Sequence, residues 1–146
     1  GIDRVVLWRN PVDRVVAAYR YLRRRDENMV KEIPEYGKLR KGCPDLSLPF
    51  TDWLREAIEI PVAARDPHFR DQKWFTWFGN QGRPTYCIPW NFEVLSQILD
   101  TEIERSNVNS EGEVLTLTKE DLDLIEQLYP NDLTVWRDMV KHNETI

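Results

Sequence analysis

Arg4-Val-Val-Leu-Trp8, running directly into Arg9-Asn-Pro-Val-Asp-Arg-Val-Val-Ala-Ala-Tyr19, decides how this chain is read. The first five residues are a short apolar run rich in β-branched side chains, the pattern of a strand buried on both faces in a parallel sheet. Asn10 is a good N-cap and Pro11 suits a first helical position. Val12, Val15, Val16, Tyr19 and Leu22 then recur at helical spacing to about Asp26. Strand, tight turn and helix therefore meet at Arg9-Asn10-Pro11, and open α/β sheets bind ligands at such carboxyl ends of strands. Because Pro11 has no N–H and the Asn10 side chain occupies another orphan donor, an anion here depends on side chains: Arg9, with Arg14 and Arg20 further along the helix. The alternative is that Arg9 pairs with a nearby carboxylate and Arg14 is solvated.

Outward from this stretch, residues 27–49 lose periodicity and are punctuated by Pro34, Gly37, Gly42, Pro44 and Pro49. Thr51–Ile58 predicts a short helix, residues 61–84 an irregular aromatic segment, and residues 85–90 a second short strand. Asn91 caps a helix carrying Leu95, Ile98, Leu99 and Ile103, and residues 105–117 form a polar loop. Thr118 and Asp121 resemble a capping box opening a helix with Leu122, Ile125 and Leu128. Pro130 ends it, ahead of a last helix at about Asp132–Lys141.

The 146 residues, 41% hydrophobic and 31% charged, suit a single globular domain. Six Trp, five Tyr and five Phe exclude disorder over most of the length. No apolar run approaches the roughly 20 residues of a membrane span. The chain opens on Gly1 with a strand almost at once, as expected of a piece of something longer. Cys43 and Cys87 are too few for a disulfide scaffold, and with two His they do not form a zinc site of usual spacing. A single Cys43–Cys87 bridge, and hence the redox compartment, stays open.

The net charge of −5 hides an asymmetry: residues 1–41 carry 11 Lys+Arg against 6 Asp+Glu, a net of +5, and the remainder a net of −10. An anionic ligand belongs with the first part. The acidic remainder argues against a nucleic-acid groove, which needs a broad basic face for counterion release. Two solvated faces of opposite sign are the alternative.

Residues Val5 to Tyr19 resemble the 3′-phosphate-binding motif of Golgi-type and bacterial sulfotransferases, an apolar strand followed by R-[DN]-P-x-x-R-[LV]-[LV]-S-x-Y. In that family the first Arg and the Ser eight residues later bind the 3′-phosphate of 3′-phosphoadenosine 5′-phosphosulfate. The match puts Arg9 at the Arg position and Ala17 at the Ser position. The missing hydroxyl is worth about 1.5–3 kcal/mol, or about one to two powers of ten in affinity, and Arg20, on the same helical face, is placed to compensate.

Weaker matches follow in family order. Asp66-Pro-His-Phe-Arg-Asp-Gln72 resembles a D-x-H-[FW]-x-x-Q loop, and Tyr86–Ile103 a strand leading into a helix. Ser106–Ser110 and Leu117–Asp132 together resemble the closing N-x-S, L-[ST]-x-E-x-x-x-x-I-x-x-x-Y-x-x-D pattern. The family's upstream loop for the 5′-phosphosulfate has no counterpart here, so the resemblance is to the C-terminal portion of a sulfotransferase domain.

The resemblance implies an α/β fold, the C-terminal portion of a P-loop NTPase-like parallel sheet flanked by helices. It implies transfer of a sulfuryl group from 3′-phosphoadenosine 5′-phosphosulfate to a hydroxyl, expected to be a carbohydrate's. Arg9, Arg14, Ala17 and Arg20 would form the nucleotide half-site, with no metal and with the catalytic base unassigned. His68 either lines the acceptor pocket or ties its loop to a backbone carbonyl. Trp74, Trp77 and Phe78 form either a ligand-facing wall or core. His142 reads as solvated, and Asn143-Glu-Thr145 fits a glycosylation sequon that matters only in a secreted chain. Compartment stays open, with a membrane involved only if an anchor lies upstream. An inactive remnant, or a module whose basic helix Arg14–Arg25 docks an acidic partner, is the alternative function.

Overall fold

The structure, a computed structural model, describes residues 4–33, 41–77, 85–89 and 115–144. In chain order these form β1 (Arg4–Trp8), α1 (Pro11–Glu32), α2 (Phe50–Glu59), a 3₁₀ turn (Val62–Ala64), α3 (Gln72–Trp77), β2 (Thr85–Pro89), α4 (Lys119–Leu128) and α5 (Pro130–Glu144).

Helices dominate, which corrects the expected α/β class and its P-loop NTPase-like parallel sheet flanked by helices. β-Strand among the described residues is confined to β1 and β2, five residues each, in one parallel ladder from Arg4 opposite Thr85 to Trp8 opposite Pro89. Among the described side chains, the principal buried cluster takes no member from either strand. It is built from Val15, Ala18, Tyr19 and Leu22 of α1, Phe50, Trp53, Leu54 and Ala57 of α2, Ile125 and Leu128 of α4, and Leu133 of α5, joined by Leu46, Phe69 and Tyr129. The apolar run at residues 4–8 was legible as a strand, but such a run looks the same in a wide sheet and in a single ladder covered by helices.

Within the core, the Tyr19 ring packs on Phe50 and Trp53 with centroids 5.1 and 5.4 Å away, and Trp53 meets Phe69 edge-on at 5.0 Å. These are the tilted geometries aromatic quadrupoles favour. The Tyr19 hydroxyl donates to Leu48 O at 2.7 Å, so the irregular segment before α2 is tied to α1.

α1 starts as expected, with the Asn10 side chain accepting from Val12 N and Pro11 at the first helical position. It runs to Glu32, well past Asp26. The Arg23–Glu27 pair lies one turn apart on its exposed face, and Pro34 pushes Ile33 into extended backbone, where the helix stops. The Thr118–Asp121 capping box forms with both reciprocal bonds. α4 buries Asp121, Ile125 and Leu128 and leaves Leu122 exposed. Pro130 ends α4 and is itself the first residue of α5, two residues before the expected start. The helix expected after Asn91, the polar loop up to residue 114, Phe78 and the side chains of Trp77, Cys87, His142 and Asn143 lie outside the described residues.

Candidate functional site

β1 delivers Arg9 to the point where the ladder ends and α1 begins. Its guanidinium is exposed, and its backbone is held from across the chain. Arg9 N donates to Gln72 Oε1 at 2.9 Å, and Gln72 Nε2 donates to Arg9 O at 2.8 Å. Gln72 is nearly buried, at 9% exposure, and is the first residue of α3. A helix this short needs outside help to close its first turn. The fully buried Asp132 supplies it from α5, accepting from Gln72 N at 2.6 Å and Lys73 N at 3.1 Å. Burial pushes the Asp132 carboxyl above the usual carboxylate range, against the pull of those two N–H groups.

Tyr129, the residue between α4 and α5, donates its hydroxyl to Phe69 O in the same region, and burial raises its phenol. Below it the Arg65 guanidinium meets the Asp71 carboxylate at 2.8 Å, with side-chain exposures of 6% and 11%. Arg65 Nε also donates to Ile60 O at 2.9 Å, and Arg70 donates twice to Arg65 O. Burial raises the Asp71 carboxyl too, with Arg65 pulling the other way.

Of the residues singled out from the sequence, Arg14, Ala17, Arg20, His68 and Trp74 lie, like Arg9, among the described side chains. Arg14 is half-buried and turned toward the residue 66–72 loop, where its Nη2 donates to Pro67 O at 3.4 Å. Its Nη1 is buried with no hydrogen-bond partner among the described residues. Burial lowers its pKa, Tyr129, Asp132 and Asp71 oppose that shift, and the Arg9 cation adds to it. Ala17 and Arg20 are half-buried on α1, and Ala17 brings no hydroxyl to that face. His68 is tied to a side chain instead of a carbonyl: its Nδ1 lies 2.7 Å from Asp66 Oδ1, which also accepts His68 N at 2.9 Å. The exposed imidazole stacks on Tyr21 of α1 with centroids 5.1 Å apart. Trp74 is half-buried, with the Arg70 guanidinium over its ring at 5.5 Å.

The loop carrying Asp66 is anchored at its start by Asp66 N donating to Gly42 O at 2.9 Å. Gly42 sits at φ 78°, and a Cβ there would stand 2.2 Å from Ala64 O, so only glycine fits.

Gln72, Asp132, Arg65 and Asp71 had no role assigned from the sequence. Gln72 and Asp132 do close two of the quoted stretches, and that was their only signal. Among the described residues no group of three or more His, Cys, Asp or Glu is arranged to hold a metal ion. No family model matches the chain, and no curated protein or solved structure matches it significantly.

Proposed function

We propose that the chain carries the nucleotide half-site of a sulfotransferase that moves a sulfuryl group from 3′-phosphoadenosine 5′-phosphosulfate to a carbohydrate hydroxyl. One observation carries this reading. Three stretches that resemble the family in separate parts of the sequence are bonded to one another in series, through Arg9 inside the first and through Gln72 and Asp132 at the ends of the other two. Residues matched for unrelated reasons have no cause to converge on the one Arg that the motif assigns to the 3′-phosphate.

Arg9 is suited to that phosphate because its backbone is fixed while its guanidinium stays in water, open to a bidentate contact. Arg14, held behind it, adds positive potential without needing to touch the ligand. Arg20 lies on the face that carries Ala17. In the transfer the acceptor oxygen attacks sulfur and the bond from sulfur to the 5′-phosphate oxygen breaks. Adenosine 3′,5′-bisphosphate leaves, and the hydroxyl proton passes to a base that none of the assigned residues supplies. The work is positioning and charge stabilisation, by analogy with phosphoryl transfer.

The second reading, a basic helix docking an acidic partner, draws on the exposed Arg23, Arg24 and Arg25 of α1. It requires salt-sensitive binding with no preference for a 3′-phosphate. Calorimetry with adenosine 3′,5′-bisphosphate and adenosine 5′-monophosphate, on the parent and on Arg9→Ala, separates the two. The nucleotide reading expects a 3′-phosphate preference that Arg9→Ala abolishes; its absence from a folded parent overturns that reading.

A further inference from the structure

We infer that Gln72 is a positioning residue for the anion contact of Arg9, setting through the Arg9 backbone where the guanidinium stands. The inference rests on the nucleotide reading above and adds to it the device that orients its central residue.

Arg9 lies between the last ladder residue, Trp8, and the helix that starts at Pro11, so neither the ladder nor the helix fixes its backbone. A primary amide carries its N–H donor and its carbonyl acceptor on separate atoms side by side, so it can pair with the N–H and C=O of one residue at once, and Gln72 presents both to Arg9. The two bonds remove rotation at the Arg9 peptide as a strand partner would. Gln72 cannot drift, because the buried Asp132 carboxylate grips its own backbone N–H. The series from Asp132 to Gln72 to Arg9 ends in an exposed cation.

Gln72→Ala removes both bonds, and Gln72→Glu keeps the acceptor while setting a carboxylate oxygen against Arg9 O. In ligand-free protein, exchange of the Arg9 amide hydrogen is expected to quicken about tenfold in Gln72→Ala. The preference for adenosine 3′,5′-bisphosphate over adenosine 5′-monophosphate is expected to fall about tenfold. Affinity for the monophosphate should hold, which a general loss of folded protein would not allow. In an Arg9→Ala background, Gln72→Ala should alter the preference no further, because its effect passes through Arg9. If Gln72→Ala does not fold, Gln72→Glu carries the test, with a partial loss of preference expected.

A parent chain with no 3′-phosphate preference overturns the nucleotide reading and this inference with it. A parent that has the preference and a folded variant that keeps it overturn the positioning role alone. Unchanged Arg9 exchange in Gln72→Ala also overturns that role, whatever the nucleotide does.

Discussion

The guanidinium of Arg65 and the carboxylate of Asp71 meet at 2.8 Å where both are almost sealed from water. Removing one partner strands the other, which costs about 3–5 kcal/mol in buried pairs. Asp71→Ala is therefore expected to lower the free energy of unfolding in urea by that amount. A double Arg65→Met, Asp71→Leu variant should lose much less than the two single variants together. Additive losses would mean that the pair is not coupled.

Gly42 gives a sharper steric test. An Ala at φ 78° meets the Ala64 carbonyl oxygen, so Gly42→Ala should destabilise the chain by roughly 2 kcal/mol or more. Thermal unfolding measures this, and the loop at Asp66–Arg70 should lose amide protection first. A variant as stable as the parent would mean that the Gly42 turn is not formed.

The buried Asp132 carboxyl makes stability depend on pH in an uncommon direction. Burial raises its folded pKa above the ordinary aspartate value of 3.8, so the native state holds the proton more tightly than the unfolded chain does. Stability from this group is greatest below 3.8 and declines as pH rises through the raised value. Urea midpoints of the parent and Asp132→Asn across mildly acidic pH should show the parent's advantage shrinking as pH increases. An advantage that grows instead would indicate a carboxylate stabilised in its charged form.

The proposed role of the Ala17 position can be tested by adding the hydroxyl that the resembled motif carries there. Ala17→Ser should raise affinity for adenosine 3′,5′-bisphosphate by about tenfold and leave adenosine 5′-monophosphate unaffected. Calorimetry decides it. Equal gains for both nucleotides would place the hydroxyl away from the 3′-phosphate.

Local signals in the sequence were legible and tertiary ones were not. β1, the Asn10–Pro11 helix start and the Thr118–Asp121 capping box follow from residues within a few positions of each other. α3 was missed because its first turn is closed by Asp132, 60 positions away, and no local pattern announces a cap supplied from another helix. The fold class was misjudged because one apolar run was extended into a whole sheet, whereas the repeat that fills the core is the helical one on α1, α2 and α4. Arg9 stands out in the sequence by its motif. Its holder, Gln72, lies 63 positions away, within a stretch where only the resemblance had meaning.

The hold on Gln72 by Asp132 also bears on the order of assembly. Arg9 leaves a ribosome long before Asp132, by roughly 6–25 s at 5–20 residues per second. Through that interval α3 has no cap from α5, and the Arg9 backbone has no settled partner. The contacts concerned join residues 63 and 60 positions apart, the kind that form late because loop closure precedes their reward. In refolding followed by pulsed hydrogen exchange, the Arg9 amide should be protected after the α1 and α4 interiors. Protection of Arg9 with or ahead of those helices would refute that sequence. A nascent chain would thus carry Arg9, the arginine proposed to hold the 3′-phosphate, early, and fix its backbone only when the last helix docks.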